Sequence, residues 1–96
     1  MKRVPVAALM AGLVPTLTAS SVSAQGYSGY SCVELWYQRN AIYKAAGYCF
    51  KTPRAIRTFG NAGCQYDSEY ELPLTSRQRA AINAIARAER DQGCPR

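Results

Sequence analysis

The sequence predicts an all-α fold. The expected body is a small disulfide-stapled helical domain, with two longer antiparallel helices at about 32–46 and 76–92 and a short helix at about 53–59 between them. Three observations point there. Cys32, Cys49, Cys64 and Cys94 all lie behind a front end that looks removable. Two segments open on Ser or Thr with Glu or Gln three residues later, heading an apolar pattern, which is the spacing of a helix capping box. And the chain is so short that an apolar core alone supplies only about 3–5 kcal/mol, so it needs cross-links.

The front end comes first. Lys2 and Arg3 form a positive start, Val4 to Leu17 is mostly apolar, and Val22-Ser23-Ala24 closes the segment with small residues at the spacing signal peptidase accepts. Residues 1–24 are therefore expected to be a signal peptide, cleaved near Ala24–Gln25, and the product to be periplasmic or secreted. The apolar run carries Pro5 and Pro15 and falls short of the roughly 20 residues a spanning helix needs, so no transmembrane anchor is expected in the mature form. Neither a twin-arginine pair nor a cysteine at the end of the run suggests another export route. Export would carry an even number of cysteines into an oxidising compartment, where they read as two disulfides. Each would add roughly 2–4 kcal/mol. Removing Lys2 and Arg3 from the 12 basic residues leaves ten against six acidic ones, a net charge near +4.

Residues 25–30 are a Gly/Ser/Tyr stretch without periodicity, expected to be a flexible leader to a single domain at 31–96. Ser31 and Glu34 open the first helix, whose Leu35, Trp36, Ile42, Tyr43 and Ala46 recur on one side, and Gly47 ends it. Thr52-Pro53 read as N-cap and first residue of the short helix, with Ala55, Ile56 and Phe59 offering an apolar side and Gly60-Asn61 stopping it. From Gln65 to Pro73 the chain is polar, acidic and tyrosine-bearing with no helical period, as expected of an ordered surface loop. Thr75 and Gln78 open the last helix, rich in Ala and Arg, with Gln78, Ala81, Ile82, Ile85 and Ala88 as its stripe. Gly93 ends it.

Helix length bears on the cysteine pairing. Cys32 and Cys49 flank a helix of about 15 residues, which at ~1.5 Å per residue holds them about 20 Å apart, beyond bridging reach. Two connectivities remain: Cys32 with Cys94 plus Cys49 with Cys64, or Cys32 with Cys64 plus Cys49 with Cys94. Antiparallel packing of the long helices favours the first, and a crossed packing the second.

Ser31-Cys32, Glu34-Leu35-Trp36-Tyr37, Arg39-Asn40, Ile42-Tyr43, Gly47-Tyr48-Cys49-Phe50 and Phe59-Gly60-Asn61 together resemble the core pattern of the YARHG domain, a small extracytoplasmic module chiefly of Gram-negative bacteria. The similarity continues weakly to Cys94. It implies a periplasmic or secreted setting and carries no biochemical role. The five residues that name the family stand here as Tyr43-Lys44-Ala45-Ala46-Gly47, without its arginine or histidine, so Tyr43 and Gly47 read as packing and helix-ending positions.

The chain has no histidine, which removes the commonest general base and the usual activator of a serine or cysteine nucleophile. With the cysteines bridged, no thiolate remains, and no catalytic residue is assigned. Asp67, Glu69 and Glu71 offer a carboxylate pair for glycoside-type hydrolysis or a weak calcium site, although the turn glycine and distal glutamate of a calcium loop are missing. The cysteine spacings hold no zinc knuckle. No metal or cofactor is expected. Arg39 interrupts the apolar stripe of the first helix. Its stem is expected to pack on aromatics while its guanidinium reaches a loop acid such as Asp67 or Glu69, and the functional reading makes it the base of a shallow aromatic site for a carboxylate or phosphate. Lys51, Arg54 and Arg57 cluster around the short helix, suited to anions. Tyr48 stands beside them.

The leading expectation is a non-catalytic binding module of the cell envelope. It would hold an envelope protein or an anionic envelope polymer through this basic helix and the tyrosines at 27, 30, 37, 48, 66 and 70, which outnumber the needs of so small a core. No nucleic acid is expected, since no fingerprint for it is present. The alternatives are a small secreted hydrolase or toxin using the acidic loop, and an inhibitor of a secreted enzyme using the Asn61–Cys64 loop as a wedge.

Overall fold

The computed structural model describes residues 26–95. The expected signal peptide and its cleavage point lie outside the described residues. Three α-helices form: α1 at Cys32–Ala45, α2 at Pro53–Phe59 and α3 at Ser76–Asp91, with a 3-10 turn at Glu69–Glu71 before α3. Among the described residues the only β pairing is one parallel bridge between Tyr48 and Tyr66, and no helix is long and apolar enough to cross a membrane.

The caps explain where the helices begin. Ser31 Oγ accepts from the Glu34 amide at 3.1 Å while Glu34 Oε1 accepts from the Ser31 amide at 2.8 Å. Thr75 and Gln78 repeat the exchange at 3.0 and 2.8 Å. At α2 the Thr52 hydroxyl accepts from the Ala55 amide, and Pro53 fills a position whose own N–H would have had no partner.

Two disulfides close the body. Cys32 is joined to Cys94 and Cys49 to Cys64, with Cα separations of 5.5 and 5.1 Å. The first ties the start of α1 to the end of α3, making the two long helices an antiparallel hairpin in which Leu35 and Ile85 are the deepest apolar side chains. A second cluster, Tyr43, Phe50, Ala55 and Leu72, sits at the other end of the hairpin beneath α2 and the acidic loop.

The turn after α1 receives that loop. Gly47 has φ +95°, and a Cβ there would stand 3.3 Å from the Tyr66 ring, so the position needs glycine for both conformation and space. Its carbonyl accepts from the amides of Gln65 and Tyr66 at 2.8 and 3.0 Å, and the Cys49 amide donates to the Tyr66 carbonyl at 2.8 Å. Asn61 acts as a substitute strand: its Oδ1 accepts from the Phe50 amide at 2.7 Å and its Nδ2 donates to the Phe50 carbonyl at 3.0 Å.

Several sequence expectations need correction. Ile56 is 42 % exposed, because a seven-residue helix lying on a narrow body buries only the side bearing Ala55, and Phe59 in part. The 65–73 segment is more than a surface loop. It holds the 3-10 turn and inserts Leu72, 3 % exposed, into the core. On α3 the buried stripe includes Glu89. Ahead of α1, Tyr27 and Tyr30 close a turn and meet edge to face, and Tyr27 with Ser28 borders a depression against the end of α3.

The two bridges close loops of different size, 62 and 15 residues apart in sequence. Chain entropy then assigns the outer bridge about 1 kcal/mol more stability than the inner. The Cys32→Ala/Cys94→Ala variant is expected to melt below the Cys49→Ala/Cys64→Ala variant in calorimetry, and the reverse order would contradict this.

Candidate functional site

An open groove of about 260 Å³ runs between α1, the 48–52 segment and the 3-10 turn. Its aromatic wall is Trp36, Tyr43, Tyr48 and Phe50, which Phe59, outside the lining, joins into one chain of rings. Trp36 on α1 lies 5.9 Å from Phe59 at the end of α2, Phe59 stacks on Phe50 at 5.2 Å, Phe50 meets Tyr48 edge-on at 5.2 Å, and Tyr48 leans on Tyr43 at 5.7 Å. Such contacts add about 0.5–1.5 kcal/mol each beyond area burial, which helps a thin core hold its shape. Arg39, Asn40, Lys51 and Glu69 supply the polar lining.

Two cations sit on this wall. The Arg54 guanidinium lies 3.8 Å above the centre of the Trp36 ring, and the Lys51 ammonium 5.7 Å from that of Tyr48. Lys51 also reaches Asp67 at 3.2 Å, an exposed pair that contributes little. Arg57 is exposed, with no side-chain partner among the described residues. Lys44 faces elsewhere: its Nζ donates to the Gly60 carbonyl at 3.2 Å and so caps the end of α2.

Arg39 lies under the groove, but its partner is neither Asp67 nor Glu69. Its Nε and Nη2 donate to the two carboxylate oxygens of Glu89 at 2.7 and 3.1 Å. The antiparallel register that brings Cys32 to Cys94 also sets position 39 opposite position 89. The Glu89 side chain is 1 % exposed and that of Arg39 14 %. Burial opposes the charge on Arg39, yet the hydrogen bonds and charge of Glu89 more than offset it and hold the guanidinium above its ordinary pKa. The positive charge of Arg39 is thus already matched, leaving Arg54, Arg57 and Lys51 as the exposed cations around α2.

Sequence reasoning missed Glu89. A signal existed, because Glu89 follows Ile85 by four residues and shares its side of α3, just as Arg39 follows Leu35 on α1. One opposite charge interrupts each of two facing stripes.

The Tyr43 hydroxyl donates to Glu69 Oε1 at 3.2 Å. The three loop acids go separate ways: Asp67 pairs with Lys51, Glu69 accepts from Tyr43, and Glu71 lies in the 3-10 turn. The tyrosines also divide. Tyr37 and Tyr70 are 50 % and 92 % exposed, whereas Tyr48 and Tyr66 pack against the core, so the aromatic surface is smaller than the tyrosine count implied.

A model of the YARHG domain family matches residues 11–90. The matched stretch contains α1, α2, the acidic loop, Arg39, Glu89 and the ring wall. It begins inside the segment expected to be a signal peptide. No curated protein and no solved structure matches the chain.

Arg39→Met leaves Glu89 buried without a partner and is expected to cost about 3–5 kcal/mol in chemical denaturation. Adding Glu89→Leu should restore most of the loss, and a double variant as unstable as the single one would argue against the pairing. Burial, then the charge and hydrogen bond of Glu69, push the Tyr43 phenol above its ordinary pKa, against a smaller opposing effect of Arg39. The folded state therefore holds this proton more tightly than the unfolded chain does. Its contribution is complete below about pH 10 and is lost as the pH rises through the folded value. Stability measured across that range should fall less steeply in Tyr43→Phe than in the parent.

Proposed function

The chain belongs to the YARHG domain family, and from that starting point we propose that it is an exported, non-catalytic interaction module that holds an anionic polymer of the cell envelope on the exposed face of α2. The observation that carries this is Arg54 resting on Trp36 at 3.8 Å. The ring restrains the guanidinium before any ligand arrives, so less side-chain freedom is lost on binding. Arg57 stands three residues on, and Lys51 projects beside Tyr48 at the same groove. Phosphate or carboxylate groups repeated along a polymer suit several outward cations on one small face.

Export is supported by the leader-like residues 1–24 and by the two disulfides, which persist in oxidising compartments. A non-catalytic role is supported by the lack of histidine and by four cysteines committed to bridges. The separate engagements of Asp67 and Glu69 also weigh against their working as a hydrolytic pair.

The test is retention of the oxidised protein on anionic envelope material at low and high salt. Retention should fall steeply with ionic strength and drop at least roughly tenfold in Arg54→Glu/Arg57→Glu. Equal retention of parent and variant would remove the basis of the proposal.

A further inference from the structure

Tyr43 and Glu69 form a wall with a groove on each side. Behind the aromatic groove, between the 3-10 turn and α3, lies a second depression of about 300 Å³. Its apolar surface comes from Leu74, Ile82 and the Tyr43 ring, and Tyr70, 92 % exposed, stands at its rim. Glu69 and Arg79 both line it.

These two charges are opposite in sign and do not meet. Among the described residues the ion pairs are Arg39 with Glu89 and Lys51 with Asp67, and neither involves Glu69 or Arg79. Glu69 accepts one hydrogen bond, from Tyr43, and has acceptor capacity left over. The Arg79 guanidinium has no partner among the described residues. A solvated surface charge is ordinary, but here an acid and a base border one apolar floor without neutralising each other. The acid also shares the groove with two tyrosine rings, whose faces favour a cation. The base offers the planar fork that grips a carboxylate.

We propose that this groove binds a small peptide-like zwitterion with free amino and carboxyl ends. The ammonium sits at Glu69 between Tyr43 and Tyr70, the carboxylate at Arg79, and the apolar side chain on Leu74 and Ile82. The volume matches the smallest ligand pockets and so suits a dipeptide better than a long chain. The proposal does not depend on the α2 face, because it uses none of Arg54, Arg57 or Lys51.

Calorimetric titration of the oxidised protein at low ionic strength tests it, with alanyl-leucine, N-acetyl-alanyl-leucine, alanyl-leucinamide and free leucine as probes. Alanyl-leucine should bind saturably, and each end-blocked form roughly tenfold more weakly. Free leucine should bind more weakly than the dipeptide if the floor takes a side chain beyond the first residue. In Arg79→Gln the dipeptide and its amide should become equal. In Glu69→Gln, which keeps an acceptor for Tyr43, the dipeptide and its acetyl form should become equal. Arg54→Glu/Arg57→Glu should change none of this, so the outcome is independent of envelope retention. The proposal is overturned by absent saturable binding of alanyl-leucine, by blocked forms that bind as well as the free one, or by end-group discrimination that survives both single variants.

Discussion

The exterior of this protein is mounted on the seam between α1 and α3, and at the middle of that seam sits a buried charge pair, Arg39 with Glu89. A buried pair adds little net stability over apolar side chains of similar volume, because desolvation consumes most of the attraction. Its larger effect here is on register. Sliding either helix by one turn would leave a guanidinium and a carboxylate buried apart, and it would also pull Cys32 away from Cys94. Covalent and electrostatic constraints therefore select the same alignment. That alignment brings Tyr43 toward Leu74 and Ile82, and so sets the wall on which both grooves depend.

Above the seam, irregular backbone is held by substitutes for regular structure. Asn61 satisfies both main-chain groups of Phe50, and Gly47 accepts two amides from the returning loop. These contacts bring the acidic segment against the end of α1, where Leu72 enters the core and Glu69 meets Tyr43. The result is an aromatic groove lined by Glu69, with Arg54 and Arg57 exposed on α2 beside it. The two grooves are neighbours that share Tyr43 and Glu69, and the zwitterion groove has none of the cations of the proposed polymer face.

Much of the fold was legible because its signals are local. Capping boxes at Ser31 and Thr75, the Thr52-Pro53 start and the glycines after the helices depend on residues within a few positions of one another, and the observed helices begin where those signals stand. For the cysteines, helix length excluded one partner and left two connectivities, and the expected antiparallel packing favoured the one that forms. The site was only half legible. Arg39 was conspicuous as a charge on an apolar stripe, but Glu89 belongs to a helix crowded with charged residues, where one carboxylate looks solvated until the register is known. Leu72 was hidden because a lone leucine in an acidic stretch has no period to reveal its direction. Ile56 and the tyrosines misled because composition cannot say which large apolar or aromatic side chains a small body has room to cover.

The connectivity of the sulfur bridges has one more consequence. Cys49–Cys64 lies wholly inside the interval bounded by Cys32 and Cys94, so the links are nested and not interlaced. Neither ring must be threaded through the other, and oxidation can close them in either order to reach one topology. The shorter ring also has the nearer ends, so it is the faster to find. Under oxidising conditions the chain can thus secure the lobe around α2 first, and join its distant ends once the last helix has formed.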